Sequence, residues 1–353
     1  MKNKQIEYIR AILILMIIFY HYTYRFEEIF DISTINFYTL SLWGEIGVAC
    51  FFIISGYFIF PKRNQELHPI IHLGKRISRL YPSYLLCVTL CFLSIQCFGL
   101  ENRPVDWWTY VCNLFMINGF IGVNYIDGAH WYLTYLILFN VIVALLTLIG
   151  NKIKLKDAKF KLKRTVLLMF WLLLNVLVLG LSNKIPILVH FYKLLGNKYV
   201  YYLYVGICLK GLLTKEEQKH KLEYHVLLLI SLVMILLTNN LIMLISVIIF
   251  SSMLTKFIQG KFQLPESKVL WELGKLSYVL YLIHQNIGYQ IILYLTNHFG
   301  EHSLLYAIIT LGIMILASWI IHSVFDAPIQ SVFDKYWSKK ECQTKNDNPL
   351  EMI

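Results

Sequence analysis

The chain has 353 residues, of which 58% are hydrophobic and 15% charged, and its formal net charge is +11. Soluble domains carry roughly 25% charged residues, so a soluble fold of this size is excluded, and apolar runs from residue 8 to residue 323 leave no space for a separate soluble domain. The positive surplus lies in the loops between apolar runs, which points to Lys and Arg held on the cytoplasmic side and to no nucleic-acid partner.

Windows near the roughly 20 residues that cross hydrocarbon predict ten spans, at 7–24, 43–60, 80–99, 131–149, 165–181, 199–213, 223–238, 241–257, 276–295 and 303–323. The fold expected is all-α: a polytopic integral membrane protein in the cell membrane, in contact with lipid, with about ten transmembrane helices and both termini cytoplasmic. One membrane domain covers 1–330, followed by a polar, disordered tail over 331–353. Lys2 and Lys4 before the first apolar run resemble a signal peptide, but no small-residue cleavage site follows over Phe19 to Arg25, so the run is expected to stay as the first span. The stretch Trp107 to Val123, with Asn113, Asn118 and two glycines, is expected to be interfacial or re-entrant. With the N-terminus inside, only Arg25, Arg103, Lys184, Lys193 and Lys198 of the 32 Lys and Arg lie outside, and the loop from Asn151 to Arg164 is the strongest inside marker. The seven cysteines form no C-x-x-C pair and are best accounted for as packing residues, a Cys97–Cys112 disulfide being the one alternative.

A charge near the middle of a membrane helix costs roughly 2.5 to 3.5 kcal/mol on insertion scales, so each one needs a reason. On the first span Arg10 and His21 are eleven residues apart, about three turns, and share a face. Glu7 precedes Arg10 by three residues and can pair with it. Arg10 can equally be an inner-end anchor, and His21 a polar packing residue. The second span offers Gly47 and Gly56 for close backbone approach and Ser55 as a hydroxyl at membrane depth. The loop behind it ends in Lys75-Arg76-Ile77-Ser78-Arg79, and two guanidiniums at i, i+3 suit a polyphosphate as well as they suit inner-face anchoring. His130-Trp131 opens the fourth span, Tyr281 and His284 lie in the ninth, and Asp326 precedes Pro328, as a carboxylate for Arg10 or Arg76 or as a simple helix stop.

In this order these pieces resemble the acyltransferase-3 family of multi-span membrane O-acyltransferases. The resemblance runs from about Ile6 to Pro328. It rests on Arg10 and His21, Gly47-Val48 with Phe51-Phe52 and Ser55-Gly56-Tyr57, Arg76, Arg79 and Pro82, Trp131, Ser277-Tyr278 with Tyr281-Leu282-Ile283-His284-Gln285, and Asp326 with Pro328. Two departures stand out. The run after Trp131 lacks the glutamate many members carry there, and the acid before the last proline, often Glu, is Asp326.

The resemblance implies a cytoplasmic acyl-CoA co-substrate, acetyl-CoA being the commonest, no permanently bound cofactor, and a carbohydrate hydroxyl as acceptor on the outer side. Arg10, Arg76 and Arg79 would then hold the CoA phosphates, with Gly47, Ser55 and Gly56 walling the passage of the pantetheine arm. His21 would be the general base, with His284 orienting the acceptor or replacing it, and Glu7 and Asp326 supporting the catalytic set. His130, Trp131 and Tyr281 would meet the acceptor. No metal site is assigned. The rival class is a transporter or flippase, since polar groups at membrane depth also line permeation paths; against it, the two halves of the sequence show no repeat.

Overall fold

The computed structural model describes residues 4–31, 40–60, 69–100, 102–152, 164–300 and 303–347, and these contain helices and no strand. The first span is α1 (Lys4–Tyr20), a widened i→i+5 turn over His21–Arg25, and α2 (Phe26–Phe30), which stops where Asp31 adopts a left-handed conformation. Then come α3 (Trp43–Tyr57) and α4 (Pro69–Phe98), the latter running through Pro82. Two short helices follow, α5 (Trp107–Leu114) and α6 (Asn118–Ile121). A single turn over Gly128–His130 then leads into α7 (Trp131–Lys152).

The second half holds α8 (Arg164–Ser182), α9 (Leu188–Leu194), α10 (Tyr199–Leu213), α11 (Lys221–Thr238) and α12 (Leu241–Ile258). It ends with α13 (Lys268–Phe299), α14 (Leu304–Ile321) and α15 (Ala327–Asp347). Helix starts follow local chemistry: the Asp127, Asn240 and Ser267 side chains each accept a backbone N–H of the turn that follows.

Every expected span falls on a helix. Seven helical segments among the described residues are long and apolar enough to cross a bilayer: Lys4–Phe30, Pro69–Phe98, Gly128–Gly150, Arg164–Ser182, Lys221–Thr238, Leu241–Ile258 and Leu304–Glu341. Of the remaining three expected spans, α3 and α10 have 15 residues each, and the 32-residue α13 is diluted by polar groups in its middle. The outer faces are apolar, as with Leu229 and Leu237 on α11 and Ile248 and Ile249 on α12, a pattern that is stable in hydrocarbon and costly in water. This is a helical membrane protein.

Several expectations change. Residues 331–347 are not a disordered tail: α15 continues from α14 through a second widened turn, His322–Asp326, as one segment to Glu341 and beyond. The third span starts earlier than hydropathy suggests, so Arg76 and Arg79 lie inside α4 and not in the loop before it. Hydropathy marks where lipid begins, whereas backbone hydrogen bonding runs on past it. Cys97 and Cys112 are both free, Cys97 exposed and Cys112 buried. Within 107–123, Asn113 is fully buried, its amide donating to the Thr109 and Asn124 carbonyls and its oxygen accepting from the Ile126 N–H. The basic loop after Asn151 lies outside the described residues over 153–163.

Two apolar clusters make the core. One joins α3 and α10 with parts of α7, α8, α11 and α12; the other joins α1, α4 and α13 with α14 and the turn before α7. The polar groups singled out from the sequence concentrate in and around the second.

Candidate active site

Two histidines from opposite ends of the chain meet where α1 crosses α13. The His21 and His284 rings lie edge to face with centroids 5.0 Å apart. His21 stands at the head of the first widened turn, a feature that often marks functional sites because it redirects a side chain out of the helical repeat. Its Nδ1 is 3.1 Å from the Tyr289 hydroxyl. His284 is fully buried, with Nδ1 at 2.8 Å from the Tyr281 carbonyl oxygen. A carbonyl only accepts, so the proton belongs on Nδ1 and the lone pair on Nε2, and Nε2 is buried with no partner among the described residues. Tyr22 donates to the His284 carbonyl at 2.7 Å and anchors the backbone there.

Around this pair, further buried polar atoms lack partners among the described residues: His130 Nδ1 and Gln285 Oε1. His130 Nε2 is 2.8 Å from the Leu282 carbonyl, which puts the imidazole on the same stretch of α13. The Gln285 side chain lies against Gly128, in the turn that precedes His130. Buried polar groups in native structures are almost always paired, so a cluster of unpaired ones calls for a polar occupant. Asp127 braces this wall by accepting from the Ala129 and Asn286 N–H groups, each at 2.9 Å. Arg103 donates to Asn286 at 3.0 Å. Cys91, Asp127 and His130 offer ligand atoms within 4.8 Å of one another, all buried. Asp127 and the Nε2 of His130 already have backbone partners, so this trio fits a structural cluster.

The arginines gather nearer the first turns of α1 and α4. Arg10 pairs with Glu7 at 2.9 Å, as the i, i+3 spacing predicts. Arg79 acts electrostatically on both Arg10 and Arg76, and Tyr132 feels the charges of Arg10 and Arg76. Arg76 also donates to the Phe58 carbonyl at the end of α3, a natural place for a cation. Arg79 is exposed. Ser55 is 3.0 Å from the Tyr132 hydroxyl, so the second span's hydroxyl joins the space between the arginines and the aromatic wall of α7. In that wall Trp131 lies 4.4 Å from Tyr199, centroid to centroid, and Tyr132 lies 5.5 Å from Tyr281. Tyr281 donates to the Ala129 carbonyl at 2.5 Å.

Three sequence assignments are redirected. Gly56 is a helix-crossing position: a Cβ there would land on the Leu203 carbonyl oxygen of α10, just as one on Gly206 would meet the Ile53 carbonyl. Gly47 is packed the same way, with Ile17 of α1 at 2.7 Å from its Cβ position. Neither glycine has space to wall a passage for the donor. Among the described residues Asp326 pairs with no arginine: it accepts from Ser83 at 2.5 Å and Gln330 at 2.8 Å and pairs with His322 at 2.7 Å across the second widened turn. Sequence reasoning did not single out Tyr289, Tyr132, Asp127 or His322. His322 was legible, since it precedes Asp326 by four residues on a helix; the others meet their partners only through tertiary contacts.

A bundle of apolar helices in which His130 Nδ1, His284 Nε2 and Gln285 Oε1, three of its buried unpaired polar atoms, gather around one crossing fits a membrane protein with a buried reaction or binding site. The chain belongs to the acyltransferase-3 family, whose acyltransferase-domain model matches residues 3–323, nearly the whole chain. It is accordingly a membrane acyltransferase. Neither a curated protein nor a solved structure matches it.

Proposed function

We propose that this acyltransferase moves an acyl group, acetyl in the simplest case, from cytoplasmic acyl-CoA to a hydroxyl of an exported or cell-surface polysaccharide, and that His284 and His21 form its acid–base centre. The observation that carries the reading is the His284 imidazole, held as the Nδ1–H tautomer by the Tyr281 carbonyl and presenting an unpartnered Nε2 beside His21. Nε2 takes the proton of the acceptor hydroxyl as its oxygen attacks the thioester carbon. The tetrahedral intermediate collapses, the carbon–sulfur bond breaks, and the imidazolium returns the proton to the departing thiolate. General base catalysis of this kind contributes typically 10²- to 10⁴-fold. His21, bonded to Tyr289, stands beside the base and helps to hold the acceptor. The sequence favours His21 as the base, with His284 as its alternative; the Nδ1–H tautomer supports the assignment to His284 proposed here.

Arg10, Arg76 and Arg79 are the donor-side residues, where paired guanidiniums suit the CoA phosphates. Arg10 and His21 are eleven residues apart on one nearly continuous helix, about 16 Å at 1.5 Å per residue, a separation for the donor's pantetheine arm to bridge. His130, Gln285 and Tyr281 line the acceptor side. The inside-positive distribution of Lys and Arg supports a cytoplasmic donor face and cytoplasmic termini. Membranes containing the chain, given acyl-labelled acetyl-CoA, are expected to release free CoA and label a polymer. Release of CoA without transfer, or transport of a glycan without CoA release, would overturn the proposal.

A further inference from the structure

The last helix, α15, begins after the family match ends at residue 323, and neither the acid–base pair nor the acceptor wall uses it. It nevertheless packs on the stretch of α4 that carries the donor-side arginines. Trp337 donates from Nε1 to Ser78 Oγ at 2.9 Å, and its indole fills the space beside Gly74, where any side chain would collide with it. Lys75 pairs with Glu341 at 2.5 Å. One turn above the arginines, Ser83 is tied to Asp326 just before α15 starts. Contacts at positions 74, 75, 78 and 83 thus bracket Arg76 and Arg79 on both sides.

Helix geometry gives the bracket a direction. At about 100° per residue, Lys75 and Ser78 lie some 60° apart, as do Arg76 and Arg79, and the arginine pair is turned about 100° from the pair that α15 grips. The last helix therefore holds one flank of the turn and leaves the guanidiniums to the neighbouring flank. Holding is needed there. Arg79 repels both Arg10 and Arg76, and Glu341 pairs with Lys75, the further cation next to Arg76 in the chain.

We infer that α15 is a positioning element for the donor: through Trp337 against Gly74 and Ser78, it sets the turn of α4 that presents Arg76 and Arg79 to the phosphates of acyl-CoA. The inference rests on the donor-side assignment above. Among the described residues, the partners of Trp337 are Ser78, Gly74, Tyr336 and Lys340, none of them an arginine or a member of the acid–base pair.

The full chain in lipid nanodiscs is assayed with two donors: acyl-CoA, and the same acyl group on pantetheine, which lacks phosphates. Wild type is expected to prefer acyl-CoA. Trp337→Ala is expected to raise the KM for acyl-CoA about tenfold at unchanged kcat, the loss of roughly one charge-assisted hydrogen bond to phosphate, and to leave acyl-pantetheine kinetics untouched. Trp337→Phe keeps an aromatic ring on α15 and removes the N–H, and is expected to show a smaller rise of the same kind, so the test survives an alanine variant that fails to fold. Equal losses with both donors, or no change with acyl-CoA in either variant, would overturn the positioning role. A wild-type protein that uses both donors equally well would overturn the arginine assignment itself and the inference with it.

Discussion

Two helix crossings in this molecule are built with the same device and carry different contents. Where α3 meets α10, Gly56 and Gly206 let each backbone touch a carbonyl of the other helix, and the surrounding side chains, Phe52, Ile53, Leu203 and Val205, are buried and apolar. Where α1 meets α13, Gly274 sits against the Glu7 carbonyl in the same way, yet the crossing holds Glu7, His21, Ser277, His284, Gln285 and Asn286. Small residues at a crossing are the general means by which helices associate in lipid, where no hydrophobic force separates helix from tail. They say nothing about function. Polar groups at depth are expensive and persist where something uses them, which is the ground for proposing the second crossing as the site and the first as scaffold.

The largest effect that would separate the two crossings is expected from His284→Ala, which should lower the transfer rate by 10²- to 10⁴-fold while the protein still accumulates in membranes and elutes as a single species in detergent. Near-wild-type turnover would remove His284 from the base role. Gly206→Leu is the reciprocal case: overpacking of this kind costs typically 1–3 kcal/mol, read as a lower midpoint of thermal unfolding, and activity per folded molecule is expected to stay close to wild type. A selective loss of rate with unchanged stability would mean that the scaffold crossing takes part in chemistry.

Tyr289→Phe removes one hydrogen bond from His21, worth about 0.5–1.5 kcal/mol. Up to about a tenfold fall in kcat with little change in the acyl-CoA KM is expected. The smallest effect belongs to Ser55→Ala, which removes the bond to Tyr132. Hydrogen bonds between membrane helices average about 0.6 kcal/mol, so a shift of a degree or two in the unfolding midpoint is expected, and a large loss of donor affinity would promote Ser55 from packing to binding.

Much of the fold was legible because its signals are local. Apolar runs near the length of a bilayer crossing located helices at all ten expected places, and the i, i+3 spacing of Glu7 and Arg10 gave their ion pair. The site was legible only in its parts. His21 and His284 stood out as costly residues, but that their rings meet is a property of how α1 lies on α13, far apart in sequence. Gly47 and Gly56 looked open to a ligand because a sequence does not show what a missing side chain leaves room for; here it is another helix. The tail looked disordered because its composition is polar, and its order comes from packing against α4 through Trp337 and Glu341.

The sequence by itself determined that this protein is a helical membrane protein with charged and imidazole groups set into its first and ninth spans and two arginines just before its third, since hydropathy and helical period depend only on neighbouring residues. The tertiary structure alone decided which of those groups meet, which imidazole nitrogen is left with a free lone pair, and that Asp326 serves His322 and Ser83 in place of an arginine. The reason is physical: in lipid a helix forms from its own backbone bonds, whereas partners for a buried polar atom come from whichever helix the close-packed crossings bring beside it.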